Sequence, residues 1–283
     1  MNINEIQIRD PFVLPFNGKY YLYGSTDTDI WKSAGVGFNA YYSDDLVNWS
    51  EPVRVFSPPK DYWGTKNFWA PEVHFYNNEF YMLASFIGDG YKRGTAVLKS
   101  SSPLGMFLPH SDNAVTPKSQ MCLDGTLYID KQGQPWLVYC YEWVEAIDGE
   151  ICAVRLSPDL RSSVGEPVTL FKSSSAVWSR PVRSESLNIS GYVTDGCFLH
   201  RNNKGELFML WSCFSENGYC QCYAKSDNGE ITGIWEHKDI IYDKNGGHGM
   251  VFRSYDNKLY LTLHTPNKTP NERAVFIEIE EFN

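Results

Sequence analysis

The sequence lacks the features that mark several classes of protein. No apolar run is long enough to cross a bilayer, so we do not expect a membrane-spanning helix. The 25 basic residues are outnumbered by 34 acidic ones, and the net charge of −9 argues against a nucleic-acid partner. No HExxH or similar ligand spacing indicates a catalytic metal. No convincing helical period appears, which leaves β-strands as the main structure.

The sequence also lacks a disulfide pattern. The seven cysteines are odd in number, form no CxxC motif and mostly lie inside apolar strand patterns. We therefore predict small buried hydrophobic residues in a reducing compartment and no disulfide framework. The segment Met1–Glu5 lacks the basic and apolar pattern of a secretion signal, so we expect a cytoplasmic protein unless a signal was removed ahead of it.

What the sequence does contain is a repeat rich in aromatic residues. Five similar runs follow turn residues about 50–70 residues apart, the spacing of propeller blades. The runs are Gly18–Tyr23, Asn78–Leu83, Gln134–Tyr139, Gly205–Leu210 and Asn257–Thr262. Repeats of short strands at this period predict an all-β protein, a five-bladed β-propeller with four strands in each blade. We expect residues 1–283 to form a single domain.

A polar residue begins the first strand of each predicted blade. First strands line the central channel of a propeller, so these residues should meet at one rim: Asp10, Glu72, Asp124, Asp195 and His248. The residues after each second strand should return to the same rim: Asp27, Ser85, Glu142, Glu216 and His264. Clustered carboxylates hold their protons at different pKa values, as general acid and base roles require. The alternative is that each Asp only caps a turn by accepting backbone N–H groups.

Four motifs resemble those of family-43 glycoside hydrolases: Arg9-Asp10-Pro11, Trp69-Ala70-Pro71-Glu72-Val73, Cys122-Leu123-Asp124-Gly125 and Gly247-His248-Gly249-Met250. The resemblance spans the chain from Arg9 to the last blade, and it implies a five-bladed propeller that cleaves arabinosides or xylosides with inversion. It also implies that Asp10 is the general base and that Asp124 orients the acid and tunes its pKa. His248 resembles the channel histidine that holds a calcium ion or a water in many relatives. We expect no required cofactor, although a structural calcium in the channel is one expectation.

The general acid departs from the family pattern. The family usually has Glu-Gly-Pro at the start of blade 4, whereas this chain has Thr194-Asp195-Gly196-Cys197. Aspartate is shorter by one C–C bond, about 1.5 Å, and proton transfer requires close approach. Asp195 is the first choice for the acid because of its motif position. Glu142, which is longer and flanked by aromatic residues, is the alternative, with Glu216 behind it.

Substrate binding is expected from long aromatic inserts at the rim. We predict that Trp69 and Trp143 stack on sugar rings and that Glu72, Glu216 and His248 also contact the substrate, an oligosaccharide or polysaccharide. Bulky inserts around Trp31, Trp63 and Trp143 favour exo-cleavage of single sugars. The predicted activity is that of an α-L-arabinofuranosidase, or of a β-xylosidase. The alternatives are an endo-acting arabinanase and a non-catalytic carbohydrate-binding propeller, which Asp195 in place of Glu would favour.

Overall fold

Five antiparallel sheets follow one another along the chain, each with its strands in sequence order. The computed structural model describes residues 1–283. Blade 1 contains β1 (Arg9–Phe16), β2 (Lys19–Ser25), β3 (Phe38–Ser43) and β4 (Val53–Phe56). Blade 2 contains β5 (Lys66–Tyr76), β6 (Glu79–Gly88), β7 (Tyr91–Ser100) and β8 (Leu108–Pro109). Blade 3 contains β9 (Cys122–Ile129), β10 (Pro135–Tyr141), β11 (Glu150–Leu156) and β12 (Ser163–Lys172), with the short helix α1 (Trp143–Ala146) after β10.

The second half of the chain begins with a small hairpin, β13 (Val182–Ser184) and β14 (Ile189–Gly191). Blade 4 then contains β15 (Asp195–Arg201), β16 (Leu207–Ser215), β17 (Gly218–Ser226) and β18 (Trp235–Tyr242). Blade 5 contains β19 (Gly247–Arg253), β20 (Leu259–Thr265) and β21 (Arg273–Ile279). Two single 3₁₀ turns complete the elements, Ile3–Glu5 and Ser173–Ser175. None of the helical segments has the length and hydrophobicity needed to span a bilayer.

The first strands of the five sheets form a closed ring. Each contacts the first strand of the next sheet, in the order β1, β5, β9, β15 and β19, and β19 contacts β1 again. This arrangement is a five-bladed β-propeller, as predicted. Blade 5 has three strands of its own, and the N-terminal segment occupies the fourth place: Gln7 forms an antiparallel bridge with Arg273, and the Ile8 N–H donates to the Glu272 carbonyl.

Aromatic side chains fill the space between blades. Between blades 1 and 2, the rings of Phe38, Phe56, Phe68 and Phe86 pack with centroids 4.9–6.0 Å apart. All four are fully buried, so the flat, apolar faces of adjacent sheets are joined by ring contacts. All seven cysteines are also buried and unpaired, as predicted for small apolar residues.

Every first strand carries a β-bulge near its start, with one residue in the left-handed region (φ between +47° and +58°). Register fixes the equivalent residues, which are Asp10, Ala70, Asp124, Gly196 and His248. The prediction of a polar residue at one shared position in all five blades is therefore wrong. Asp195 precedes the bulge residue of its blade, and Glu72 follows that of its blade by two positions. The extra residue in each bulge shifts the strand locally, a displacement that the apolar pattern alone does not record.

Candidate active site

The bulges of blades 1, 3 and 5 bring two carboxylates onto one histidine. The Nδ1 atom of His248 lies 3.2 Å from Oδ1 of Asp10 and 3.5 Å from Oδ2 of Asp124. All three side chains are buried. Ser25 on β2 fixes the other oxygen of Asp10 with a 2.6 Å hydrogen bond from its hydroxyl. Asp10 and Asp124 thus meet at the same end of the channel, as the sequence predicted.

Asp195 joins the same cluster from blade 4. The hydroxyl of Tyr219 donates to Oδ2 of Asp195 at 3.2 Å, and the next amide, Gly196 N–H, donates to Oδ2 of Asp124 at 3.0 Å. A side chain at Gly196 would collide with His248, because an added Cβ would lie 2.8 Å from that residue's Cα and ring. Glycine at this bulge therefore lets blade 4 approach the histidine closely.

The three carboxyl groups have different pKa values because their surroundings differ. Burial alone would raise the pKa of Asp10, but His248 and Arg9 outweigh it, so the pKa of Asp10 is lowered. Burial and repulsion by Asp124 raise the pKa of Asp195 to about 7, although part of its side chain faces the cavity. The pKa of Asp124 is also raised, by burial and by the charge of Asp10. The cluster pairs a carboxylate that stays ionised with a carboxyl that keeps its proton near neutral pH.

His264 also lies beside Asp10, but its role is that of a neutral acceptor. Its Nδ1 accepts the Asp10 backbone N–H at 3.1 Å and is 3.5 Å from Oδ1 of Asp10. Burial and the charge of Arg9 lower the pKa of His264 to about 3, so the imidazole is uncharged at neutral pH. The short distance to Asp10 is therefore not an ion pair.

Glu142 forms part of the cavity wall through an ion pair. Its carboxylate is bound by Arg93, which also donates to Asn67 at 3.2 Å and lies over the Trp69 ring at 4.2 Å. Burial raises the pKa of Glu142 although Arg93 opposes the shift. The Glu142–Arg93–Trp69 arrangement holds the indole in a fixed orientation, and the Trp69 Nε1 donates to the Ile30 carbonyl at 2.7 Å.

These groups open on one cavity of about 810 Å³. Asp10, Asp124, Asp195 and His248 lie among its lining residues. One wall is formed by the blade 1 insert and the blade 5 loop, joined by the 3.1 Å hydrogen bond from Trp31 Nε1 to Thr269. The opposite wall comes from α1 and the β13–β14 hairpin, which contribute Trp143 and Arg183. The site is an acidic pocket between two walls that each carry tryptophan, a composition suited to sugars.

The whole chain matches a known family. The model described as "Glycosyl hydrolases family 43" matches residues 3–283. The chain belongs to glycosyl hydrolase family 43. It is therefore a glycoside hydrolase, and its substrates are oligosaccharides or polysaccharides.

Three relatives of this family-43 protein show the range of similarity. The structure of an endo-arabinase from Bacteroides thetaiotaomicron VPI-5482 is 38% identical, with a TM-score of 0.92, and the match covers 99% of this chain and 96% of that one. An extracellular endo-α-(1→5)-L-arabinanase from Bacillus subtilis is 24% identical over 50% of this chain and 45% of its own length. An extracellular exo-α-(1→5)-L-arabinofuranosidase from Cellvibrio japonicus is 22% identical over 94% of this chain and 81% of its own length.

Two predicted substrate contacts lie outside the cavity of this family-43 enzyme. Glu72 is buried further along the channel, where its Oε2 lies 3.0 Å from Nε2 of His74. The two register shifts in β5 displace it from the rim. Glu216 lies in the turn after β16 with its side chain 75% exposed, bound to Arg180 at 2.7 Å. The structure therefore does not place Glu72 or Glu216 in the cavity with the other predicted site residues, and Glu216 does not join the carboxyl groups of the cluster as an alternative acid.

Sequence reasoning also missed several residues of the site. Arg9 hydrogen-bonds Asn267 and Glu272 at 2.8 and 2.7 Å and lies 5.1 Å from the Trp31 ring. Tyr219 contacts Asp195, and Arg183 reaches the cavity from the hairpin. Arg9 stands directly before the predicted base, which was a usable signal. Arg183 lies in an insert that only its length marked as a possible binding loop. Tyr219 lies in a segment that the sequence showed only as an apolar strand pattern.

The Nδ1 side of His248 does not fit a calcium ion. Calcium takes six to eight oxygen ligands. The Nδ1 side of His248 offers one nitrogen and two carboxylates, and those carboxylates already accept hydrogen bonds from Ser25 and Gly196. An ion that used these oxygens would compete with the groups that hold Asp10 and Asp124. We derive no step of the reaction through a metal.

The close approach at Gly196 predicts a measurable defect. Gly196→Ala is expected to destabilise the protein by about 1–3 kcal/mol and to lower kcat/KM, because His248 must move away from Asp10 and Asp124. Gly133→Ala is the matched control: Gly133 also has positive φ (+82°), but its added Cβ would meet no atom within 4 Å. Thermal unfolding and kinetics of both variants check the prediction. Equal effects of the two substitutions would contradict it.

Proposed function

We propose that the protein hydrolyses α-L-arabinofuranosyl linkages of arabinan-type oligosaccharides and polysaccharides, with inversion at the anomeric carbon. The observation that carries this proposal is the pairing of Asp10, with a lowered pKa, and Asp195, with a pKa raised to about 7, on one sugar-sized cavity. Inverting glycosidases need one ionised and one protonated carboxyl on opposite sides of the scissile bond. A non-catalytic binding protein needs neither.

In the proposed reaction, the Asp195 carboxyl gives its proton to the glycosidic oxygen as the bond between that oxygen and the anomeric carbon breaks. A water attacks the anomeric carbon from the opposite face and loses a proton to Asp10. Tyr219 keeps Asp195 in place. Ser25 binds Oδ2 of Asp10, so the oxygen that approaches the water is Oδ1, which lies beside His248. Asp124 raises the pKa of Asp195 by repulsion, after burial, so the acid retains its proton. His248 spaces the two aspartates Asp10 and Asp124.

The two-walled shape supports removal of terminal arabinofuranosyl units. Trp31 is fixed to Thr269 on one side, and Trp143 with the β13–β14 hairpin stands on the other. A chain that entered between these walls would present its end to the acids. Trp69, held by Arg93 and by the Ile30 carbonyl, provides a rigid face on which a sugar ring can stack.

Endo-cleavage is the second candidate, and a specific similarity favours it. The Bacteroides thetaiotaomicron structure, described as an endo-arabinase, is 38% identical over nearly the full length of both chains. In that case the cavity would extend into a groove that accepts arabinofuranosyl units on both sides of the acids. Xylosides should also be tested as substrates, since one similar structure, 25% identical, is described as an endo-1,4-β-xylanase.

A substrate panel tests the proposal. The enzyme is incubated with linear α-1,5-arabinan, α-1,5-arabinotriose and β-1,4-xylotriose, and the products are separated by anion-exchange chromatography. We expect arabinose as the first product from arabinan. Early release of arabino-oligosaccharides would establish the endo candidate. Hydrolysis of the xylose trimer alone would overturn the assignment to arabinosides.

The pKa of Asp195 predicts the pH dependence. The acid must be protonated, so kcat/KM is expected to fall as pH rises through about 7. The base must be ionised, and its pKa lies below the ordinary 3.8, so the acid limb should lie at or below pH 4 or so. Kinetics with arabinotriose between pH 4 and 9 measure the basic limb. A rate that stays constant to pH 9 would contradict the assignment of Asp195 as the acid.

A further inference from the structure

In four of the five first strands, the bulge residue makes the same contact with the preceding blade. Its backbone N–H donates to the side chain at one fixed position on the second strand of that blade. The pairs are Ala70 to Ser25 Oγ at 2.9 Å, Asp124 to Ser85 Oγ at 2.9 Å, His248 to Ser212 Oγ at 2.8 Å and Asp10 to His264 Nδ1 at 3.1 Å. Four of the five junctions are therefore closed by the same amide and an acceptor at the same register position.

The junction between blades 3 and 4 is the exception. The register position that holds Ser25, Ser85 and Ser212 in other blades holds Cys140 in blade 3, opposite Leu123. A thiol sulfur is a weak acceptor. The bulge amide of blade 4, Gly196 N–H, donates instead to Oδ2 of Asp124 at 3.0 Å. Cys140 is fully buried in the apolar core beneath the site.

We propose that Cys140 is a positioning residue: as a weak acceptor at a place where other blades have a strong one, it leaves the Gly196 N–H free to hold the Asp124 carboxylate. This inference rests on the proposed roles of Asp124 and Asp195. The exception falls at the junction whose bulge amide donates directly to a carboxylate of the site, which gives the substitution a function in the reaction rather than in blade packing alone.

The hydrogen bond matters because Asp124 stands among several charges. It lies next to Asp10 and His248. The charges of Glu72 and Glu142 raise the pKa of Asp124, and the charge of Asp124 raises the pKa of Asp195. A backbone N–H donated to the ionised form is one of the few contacts that favour charge on Asp124. That charge in turn contributes, after burial, to the proton affinity of Asp195. Loss of the hydrogen bond should therefore weaken the acid.

Two substitutions of Cys140 distinguish its effect as a hydrogen-bond acceptor from its effect on packing. Cys140→Ser supplies a strong acceptor in the register position of the other blades and should withdraw the Gly196 N–H from Asp124. Cys140→Ala supplies none and should leave that bond intact. We expect C140S to move the basic limb of kcat/KM down by about half a pH unit and to lower kcat on arabinotriose several-fold at pH 8 or so, with the C140A profile like that of the unmodified enzyme.

Crystal structures of both variants supply a readout that does not depend on activity. In C140S the Gly196 nitrogen should lie about 2.9 Å from the introduced hydroxyl oxygen, whereas in C140A it should still face Asp124. Cys152→Ser, a buried thiol-to-hydroxyl change on β11 of the same blade, controls for the cost of burying a hydroxyl. A shifted profile in C140A, or equal profiles in C140S and C140A, would overturn the proposal. Should C140S not fold, C140A still tests it, because a shifted profile or a Gly196 N–H turned away from Asp124 in its structure would overturn the proposal.

The failure of this inference differs from the failure of the proposed function. An inactive wild-type enzyme on every arabinoside would refute the function, while the crystallographic position of the Gly196 N–H would still test the role of Cys140. An active enzyme whose C140S structure retains the bond to Asp124 would refute only the role of Cys140.

Discussion

Asp10→Asn is expected to lower kcat by about 10³-fold on every arabinoside, whether the leaving group is a sugar or a nitrophenolate. The reason is that Asp10 is the group proposed to remove the proton from the attacking water, and this step is required for all substrates. The amide is nearly isosteric and still accepts the 2.6 Å hydrogen bond from Ser25, so the geometry of the site is preserved while the basicity is lost. Parallel kinetics on arabinotriose and on 4-nitrophenyl α-L-arabinofuranoside measure the effect.

The matched control is Asp27→Asn, two residues after β2 in the same blade. Asp27 is also buried and accepts the Val36 N–H at 2.9 Å, but it does not line the cavity. The Asp27→Asn variant should keep most of the activity and should lose only stability, measured as the free energy of unfolding. If Asp10→Asn retained more than a tenth or so of the activity on either substrate, Asp10 could not be the base.

Asp195→Asn is expected to show a strong dependence on the leaving group. Hydrolysis of arabinotriose should fall by about 10²–10⁴-fold, because a sugar alkoxide leaves poorly without a proton. Hydrolysis of the nitrophenyl arabinoside should fall far less, since nitrophenolate is stable as an anion. The basic limb near pH 7 should also disappear from the nitrophenyl profile, because the group whose pKa is raised to about 7 is gone.

Glu142→Gln provides the comparison for the acid. Glu142 is bound by Arg93, which also lies over Trp69, so the substitution should disturb the orientation of that indole. We expect a moderate loss of similar size on both substrates, through KM more than through kcat. A leaving-group dependence in Glu142→Gln and none in Asp195→Asn would assign the acid to Glu142 instead.

The fold and the convergence of Asp10, Asp124 and His248 were predictable because they depend on features that sequence records well. The repeat of aromatic runs sets the blade period, and a first strand carries its residues to the axis. The motif around Asp124 also placed it correctly, since its blade follows the regular pattern. These predictions needed only order along the chain and the direction of each strand.

The errors have a common physical cause. A bulge inserts one residue without changing the apolar pattern around it. Ala70 and Gly196, which have no polar side-chain group, therefore occupy the positions assigned to Glu72 and Asp195. Glu216 was placed by counting from the end of a strand, whereas the turn points it into solvent beside Arg180. The ion pair of Glu142 with Arg93 joins residues 49 positions apart and has no local signal.

The hydrogen bonds at the blade junctions show the opposite case, in which the structure indicates a role for a residue that had none in the sequence analysis. Cys140 reads as one more small apolar residue in a strand. Only the register that aligns it with Ser25, Ser85 and Ser212 distinguishes it from the other buried thiols.

The stereochemistry of hydrolysis tests the central claim most directly, since it depends on a carboxylate and a carboxylic acid acting from opposite sides of one bond. Proton NMR of the reaction with an aryl α-L-arabinofuranoside, recorded during the first minutes, identifies the anomer released before mutarotation. The roles proposed for Asp10 as base and Asp195 as acid predict β-L-arabinofuranose as the first product. Initial release of the α-anomer would mean a covalent intermediate and would contradict the roles given to both residues.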